Sequence, residues 1–237
     1  MAIAKLRPTK NADGTSIVTP SRTGAYSEAY NVPMGIGRYG YADEGSYWTA
    51  TNATYGTALT AHVAPAIADT DTKPIIHLFN GGTNDVYLDY IDIITTIANA
   101  TATSVGFLIY LDAKGTTAKS SGGTVITPLN VRSNSSTATG VVMTAGAVVT
   151  APTSSKKVMQ RTIKEFIGVA LDRYSFSFGN GLLMTPTTTY VAGATAIMTY
   201  GPPIVLAPGG NRMFSQVSPS GATTAATFEF ELGWWER

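Results

Sequence analysis

The chain has 237 residues, with 16 Lys and Arg against 15 Asp and Glu and a formal net charge of +1. No basic cluster exceeds the pair Lys156-Lys157, which argues against a nucleic-acid partner, and the absence of cysteine excludes disulfides and thiolate metal sites. Only 13% of residues are charged, against about 25% in an average globular chain. Thr, Ser, Ala, Gly and Asn replace them, a composition common on extracellular and particle-forming β proteins.

The segment from residue 1 to 72 shows no sustained strand or helix period. Its first residues lack the apolar run of a signal peptide, and no part of the chain reaches the ~18 apolar residues of a transmembrane helix, so we expect a soluble protein made in a cytoplasm and no membrane partner. Gly35 to Gly40 matches a dinucleotide-binding motif by letter but lacks the preceding strand and following helix, so we interpret it as a turn.

Aromatic residues are the notable feature of this N-terminal segment. They follow no amphipathic pattern, which predicts an extended arm laid over another surface, with each ring filling a local pocket. The alternative is an irregular segment packed on its own domain. The candidate interface residues here are Tyr26, Tyr30, Tyr39, Tyr41, Tyr47 and Trp48.

From residue 73 to 237, candidate strands follow one another with turn signals between them, which predicts an all-β domain, a sandwich or jelly roll. In Arg173 to Phe178, large aromatic residues alternate with serine, and Val105 to Leu111 is a nearly continuous apolar run. Val158 to Ile167 is the best helix candidate, but its β-branched residues favour a strand. The remaining candidate strands are Pro74–Phe79, Val86–Ile97, Val125–Val131, Gly140–Val149 and Ile204–Leu206.

The last residues form the most regular strand pattern. Phe228, Phe230 and Leu232 would share one face, and Glu229 and Glu231 the other. We interpret the two glutamates as charges on an exposed edge strand. Trp234 and Trp235 cannot both enter one core if the strand continues, so one of them is expected to face the arm or another subunit unless Gly233 introduces a bulge.

Residues suited to catalysis are few. His62 and His77 are the only histidines, and no nucleophile or metalloprotease motif accompanies them. His77 lies in an apolar strand, where a core or strand-edge histidine is the usual outcome. Two loop pairs, Asp69 with Asp71 and Asn84 with Asp85, could supply oxygen ligands for Ca²⁺, although such loop residues more often stabilise turns. We therefore expect no catalytic residue, cofactor or defined metal site.

Several strings resemble virion proteins of tailed bacteriophages: Ala42 to Tyr47, Thr49 to Thr54, Lys73 to Gly82, Ile204 to Gly210 and Phe228 to Arg237. The resemblance implies a single jelly roll or β-sandwich, trimeric, that binds the outside of an icosahedral head as a cement or decoration protein. Its implied partners are the major capsid protein lattice and copies of itself.

Two other functions stay open from the sequence. One is a receptor-binding or fibre module that recognises host surface glycan through its loops, although Gly115–Gly123 and Asn134–Gly140 contain no aromatic residue. The other is a β-fold glycosidase or lyase, against which the sparse set of acids and bases argues. We expect the capsid-binding function.

Overall fold

A computed structural model describes residues 9–10, 16–17, 41–42, 44–52, 59–60, 74–97, 104–112, 121–148, 156–164, 172–179, 188–191, 194–220 and 227–237. The chain divides into a unit of Met1–Gly37 and a larger unit of Arg38–Arg237. The first unit contains an antiparallel pair, β1 (Thr9–Lys10) and β2 (Ser16–Ile17). All other described elements belong to the second unit.

The second unit is all-β, as the sequence predicted. Its first eight strands are β3 (Tyr47–Thr51), β4 (Leu59–Thr60), β5 (Ile76–Asn80), β6 (Val86–Ile97), β7 (Ser104–Asp112), β8 (Ser121–Ile126), β9 (Leu129–Asn130) and β10 (Val141–Val148). The others are β11 (Lys156–Lys164), β12 (Arg173–Phe178), β13 (Thr188–Val191), β14 (Ala194–Gly201), β15 (Val205–Leu206), β16 (Asn211–Ser220) and β17 (Thr227–Glu236).

These strands form two sheets. One has six strands in the order β11-β7-β16-β5-β10-β8. The other has the path β13-β14-β12-β6-β17-β3-β9, with β15 also paired to β6 and β4 to β17. Neighbouring strands are antiparallel except β12 and β14, which are parallel. Consecutive strands often change sheets: β5 and β7 lie in the six-stranded sheet, and β6 between them in the other.

The inner faces of both sheets contribute to one hydrophobic core. Phe107 of β7 stacks on Phe176 of β12 with ring centroids 4.1 Å apart, so the contact joins the two sheets. The alternation predicted for β12 is confirmed, because Tyr174, Phe176 and Phe178 are each 1% exposed. Residues 156 to 164 form a strand, as their β-branched content favoured.

The C-terminal strand β17 is a central strand, not an edge. It lies between β6 and β3, so the interpretation of Glu229 and Glu231 as edge charges is wrong. The predicted alternation itself is confirmed: Phe228, Phe230 and Leu232 are buried on the inner face. Alternation within a strand shows which face of the sheet a side chain occupies. Whether the strand has one neighbouring strand or two depends on segments distant in sequence.

Strands β3 and β4 fall within residues 1 to 72, the range in which we expected an arm, and both pair with β17. In β3, Trp48 is 4% exposed and lies opposite Trp234, while Ala50 lies opposite Leu232. The burial of these residues against β17 stabilises a strand that lacks a long amphipathic pattern. The sheet therefore extends towards the N-terminus at least to Tyr47.

Candidate functional site

The outer face of the nine-stranded sheet carries an aromatic cluster centred on Trp235. This indole stacks on Tyr41 with centroids 5.1 Å apart and on Tyr87 at 5.7 Å, in both cases with an interplanar angle of 5°. Tyr47 lies 6.5 Å away. Tyr47 and Tyr87 are the register partners of Trp235 on the two neighbouring strands, which explains why three rings from distant parts of the chain meet.

A helical turn brings Tyr41 to this cluster. The Gly45 N–H donates to the Ala42 carbonyl at 3.0 Å, and the Ser46 N–H donates to the Tyr41 carbonyl at 2.9 Å. These two bonds and the positive φ of Gly45, 73°, define a Schellman motif that ends the turn. The chain then enters β3 directly, so the turn and the strand place Tyr41 and Tyr47 on the same indole.

A β-bulge in β6, next to the cluster, supplies a hydrogen-bond acceptor for Tyr47. Across from β17, Gly233 pairs with Tyr90 and Trp234 with Leu88, so Asp89 is the extra residue of β6. Asp89 is 2% exposed, and its carboxylate accepts a 2.6 Å hydrogen bond from the Tyr47 hydroxyl. A Cβ at Gly233 would overlap the Tyr90 ring and lie 2.6 Å from the Tyr47 hydroxyl oxygen. Glycine therefore leaves the space these two rings need.

Beside the cluster lies a cavity of about 390 Å³, the outer-sheet pocket. It arises from side-chain size: Ser175 and Ser177 of β12 point outwards between taller residues of β6 and β14. In register, Ser175 lies between Asp92 and Met198, and Ser177 lies between Tyr90 and Tyr200. The alternation that buries large aromatics inside thus leaves a trough outside. The lining residues are Tyr90, Ile91, Asp92, Arg173, Ser175, Phe176, Ser177, Met198, Thr199, Tyr200 and Glu231.

Charged groups at one end of the pocket hold each other in place. Arg173 donates to Asp92 through Nε at 3.0 Å, and its Nη2 lies 2.6 Å from the other carboxylate oxygen. The Ser175 hydroxyl donates to Asp92 Oδ1 at 2.6 Å. The hydrogen bond to Asp92 raises the pKa of Arg173. This bidentate geometry orients the guanidinium group at the pocket wall, although its side chain is 56% exposed.

Tyr90 and Glu231 form a further polar contact in the pocket. The Tyr90 hydroxyl donates to the Glu231 carboxylate. Burial, followed by this hydrogen bond, raises the pKa of Tyr90 from 10.0 to about 12. Both effects favour the neutral phenol.

An alkaline titration can test this environment. Because the folded-state pKa of Tyr90 exceeds the unfolded value of 10.0, its contribution to stability is complete below pH 10 and is lost as pH rises through about 12. Ultraviolet difference spectra of the wild type and Tyr90→Phe should differ by one tyrosine that ionises near pH 12. A difference spectrum that develops near pH 10 would contradict the assignment.

A second feature is apolar. Residues 121 to 131 pass from β8, at an edge of the six-stranded sheet, to β9, at an edge of the other. Large aliphatic side chains along this passage and on the adjacent β10 are exposed; they are Val125 (56%), Leu129 (61%), Val131 (42%) and Val142 (37%). We call these four residues the β8–β9 corner. Val125 pairs with Thr144 and Val142 alternates with core residues of β10, so both lie on the outer face of the six-stranded sheet. Leu129 pairs with Thr49 on the outer face of the other sheet, so the corner is exposed on both sides of this passage. Exposed apolar groups that a partner can cover are typical of protein-binding surfaces.

The predicted interface residues divide into three groups. Tyr41, Tyr47 and Trp235 meet in the aromatic cluster. Trp48 and Trp234 lie in the core, where Trp234 is fully buried. Tyr26, Tyr30 and Tyr39 lie outside the described residues. The contact of any of these residues with another chain stays a prediction.

The candidate catalytic and metal-binding residues form no centre within the part of the chain that the structure describes. His77 is fully buried in β5, as expected for a core histidine. Among the described residues, no group of three or more His, Cys, Asp or Glu is arranged to hold a metal ion. His62, Asp69, Asp71 and the Gly35–Gly40 motif lie outside those residues. No helix of the described ranges is long and apolar enough to span a membrane.

Sequence reasoning missed the outer-sheet pocket. Asp92 and Arg173 are 81 residues apart, and Tyr90 and Glu231 are 141 apart, so spacing does not reveal either pair. The available signal was the Ser-Phe-Ser-Phe alternation of residues 175 to 178, which places small side chains on the outer face.

Comparison of the chain with protein-family models, with curated proteins and with solved structures finds no match.

Proposed function

We propose that this chain is a non-enzymatic bacteriophage virion protein that binds the outside of the capsid lattice and stabilises it. The observation that carries the proposal is the β8–β9 corner, where four aliphatic side chains are between 37% and 61% exposed. Burying such side chains against a partner is favourable by about 25 cal/mol for each Å² removed from water. The corner therefore offers apolar area for contact with a lattice protein.

The strand order supports a jelly roll, the fold that this class of protein was expected to have. The eight strands β3, β5, β6, β7, β11, β12, β16 and β17 can be counted from one to eight in chain order. The nine-stranded sheet then contains the order 1-8-3-6 and the other sheet 2-7-4-5, all antiparallel. A jelly roll has this order, and jelly rolls are common in viral capsid proteins. In this assignment β4, β8 to β10 and β13 to β15 are additional strands.

The same proposal includes a homotrimer on the capsid exterior. Each copy would present one β8–β9 corner to the lattice, and three linked corners would give high avidity from individually weak contacts. The low charge of the chain, 13% charged residues, favours contacts that depend on packing more than on ion pairs. Assembly would take place in the bacterial cytoplasm.

Purified protein mixed with capsid particles that lack it should co-sediment with them and raise the temperature at which they lose their contents. We expect Leu129→Asp to reduce this binding by about tenfold or more, because an unpaired carboxylate would be buried at the contact. Leu129 is 61% exposed in the free chain, so folding should be unaffected.

Val205→Asp is the matched control, because Val205 is 44% exposed and lies on β15, which β6, β17 and β3 separate from β9. It should bind as the wild type does. A wild-type protein that neither binds nor protects particles would refute the proposed function. Equal losses in both variants would refute the role of the corner.

A further inference from the structure

We infer that the outer-sheet pocket binds a neutral pyranose sugar. The inference goes beyond capsid binding and uses different residues, since the pocket is formed by β6, β12, β14 and β17 and the corner by residues of β8, β9 and β10 and the segment after β9. At about 390 Å³ the cavity falls within the usual range of small-molecule sites. A sugar site here would differ from the glycan-binding loops considered from the sequence, because the residues of this pocket lie on strands.

The pocket wall carries both a hydrogen-bond donor and a hydrogen-bond acceptor. The guanidinium of Arg173 is an N–H donor fixed by Asp92, which also accepts from Ser175, and the Arg173 side chain is 56% exposed. Glu231 is an exposed carboxylate acceptor that Tyr90 orients from one side. Each sugar hydroxyl both donates and accepts, so a pyranose needs donors and acceptors within one site.

The pocket wall also carries apolar surfaces. Met198 is 53% exposed at one wall, and the half-buried rings of Tyr90 and Tyr200 flank Ser177. A pyranose presents C–H groups on its faces and hydroxyls around its edge, so it can pack on an aromatic or thioether surface while its hydroxyls reach polar groups. The serine trough between these side chains leaves space for such a ring.

Charge selects the sugar class. The carboxylates of Asp92 and Glu231 outnumber the single guanidinium of Arg173 in the pocket lining. An anionic sugar or a phosphate would meet the uncompensated carboxylate, whereas a neutral ring would not. The same balance argues against a nucleic-acid strand. The sugar is therefore expected to carry hydroxyl or acetamido groups and no acid.

The test is an array of immobilised oligosaccharides ending in glucose, galactose, mannose, N-acetylglucosamine, sialic acid or glucuronic acid. The wild-type chain should bind at least one neutral terminus and neither acidic one. The corresponding methyl glycoside, titrated in solution, should compete for binding. Binding to none of the neutral termini, or preference for the acidic ones, would overturn the inference.

Two variants locate the site. Arg173→Met removes the donors at similar length and should weaken binding by about tenfold or more. Ser177→Leu should abolish it by filling the trough. Lys157→Met, which removes one exposed positive charge on the six-stranded sheet, is the control and should bind as the wild type does.

Circular dichroism and thermal unfolding must show that the three variants fold. If Arg173→Met and Ser177→Leu fold and bind normally, the pocket is not the site. Release of reducing sugar from a bound oligosaccharide would also overturn the inference, because it would show a hydrolase. These sugar-binding results do not depend on whether the protein binds capsid particles, because the Leu129→Asp variant tests particle binding separately.

Discussion

Replacing Trp234 with alanine is expected to lower the free energy of unfolding by about 3–5 kcal/mol, the usual cost of deleting a large buried aromatic side chain. Trp234 is fully buried and belongs to the core that the two sheets share. It also lies opposite Trp48 and Leu88 on the neighbouring strands. The resulting cavity would therefore weaken three central strands at once. Denaturant unfolding followed by circular dichroism measures the change.

Trp235→Ala is the matched control, since it removes the same side chain one residue further along the strand. Trp235 packs on tyrosines at the outer face and is only partly buried. Its replacement should cost less than half as much, because the protein can leave that space to water. Equal losses of unfolding free energy for the two variants would contradict the assignment of Trp234 to the core and Trp235 to the outer face of β17.

The second large effect is expected at Gly140, where two backbone segments touch. The Gly81 N–H donates to the Gly140 carbonyl at 3.1 Å, and a Cβ at Gly140 would overlap the Gly82 Cα and lie 2.9 Å from its nitrogen. Backbone cannot rotate away as a side chain can. We therefore expect Gly140→Ala to cost about 1–3 kcal/mol or more, the range for overpacking.

Gly81→Ala provides the comparison, because there the added Cβ would lie 2.9 Å from the ring of Phe79, a partly exposed side chain that can move. Thermal unfolding of the two variants should show the larger decrease in melting temperature for Gly140→Ala. Equal melting temperatures for the two variants would contradict a rigid backbone contact at Gly140.

The turn depends further on Asn80, which is 1% exposed and whose amide donates to the Leu206 carbonyl at 2.8 Å.

The sequence predicted the strands whose side chains alternate or form an apolar run. β6 and β12 have the expected bounds, and Phe228, Phe230 and Leu232 occupy the expected face. It missed β14 and β16, whose strand character depends on pairing: β16 lies between β7 and β5. It also treated 125 to 131 as one strand, whereas the chain leaves β8 before Pro128 and enters the other sheet.

The candidate site was less predictable than the fold for a physical reason. Aromatic residues near the N-terminus and the final tryptophan pair were identified, but their meeting at Trp235 requires β3 beside β17. The outer-sheet pocket requires four strands in register, so that Glu231, Asp92, Ser175 and Met198 form one row. Local sequence contains the sizes and charges of these residues but not the order in which strands pair.

The proposed function requires the β8–β9 corner to contact a capsid lattice. The most direct test is a cryo-electron microscopy map of capsid particles incubated with the purified protein. The proposal predicts density for the protein on the outer surface, with Leu129 and Val131 buried against the capsid protein and the outer-sheet pocket open to solvent. Particles without added density, or a bound protein whose corner faces solvent, would contradict it.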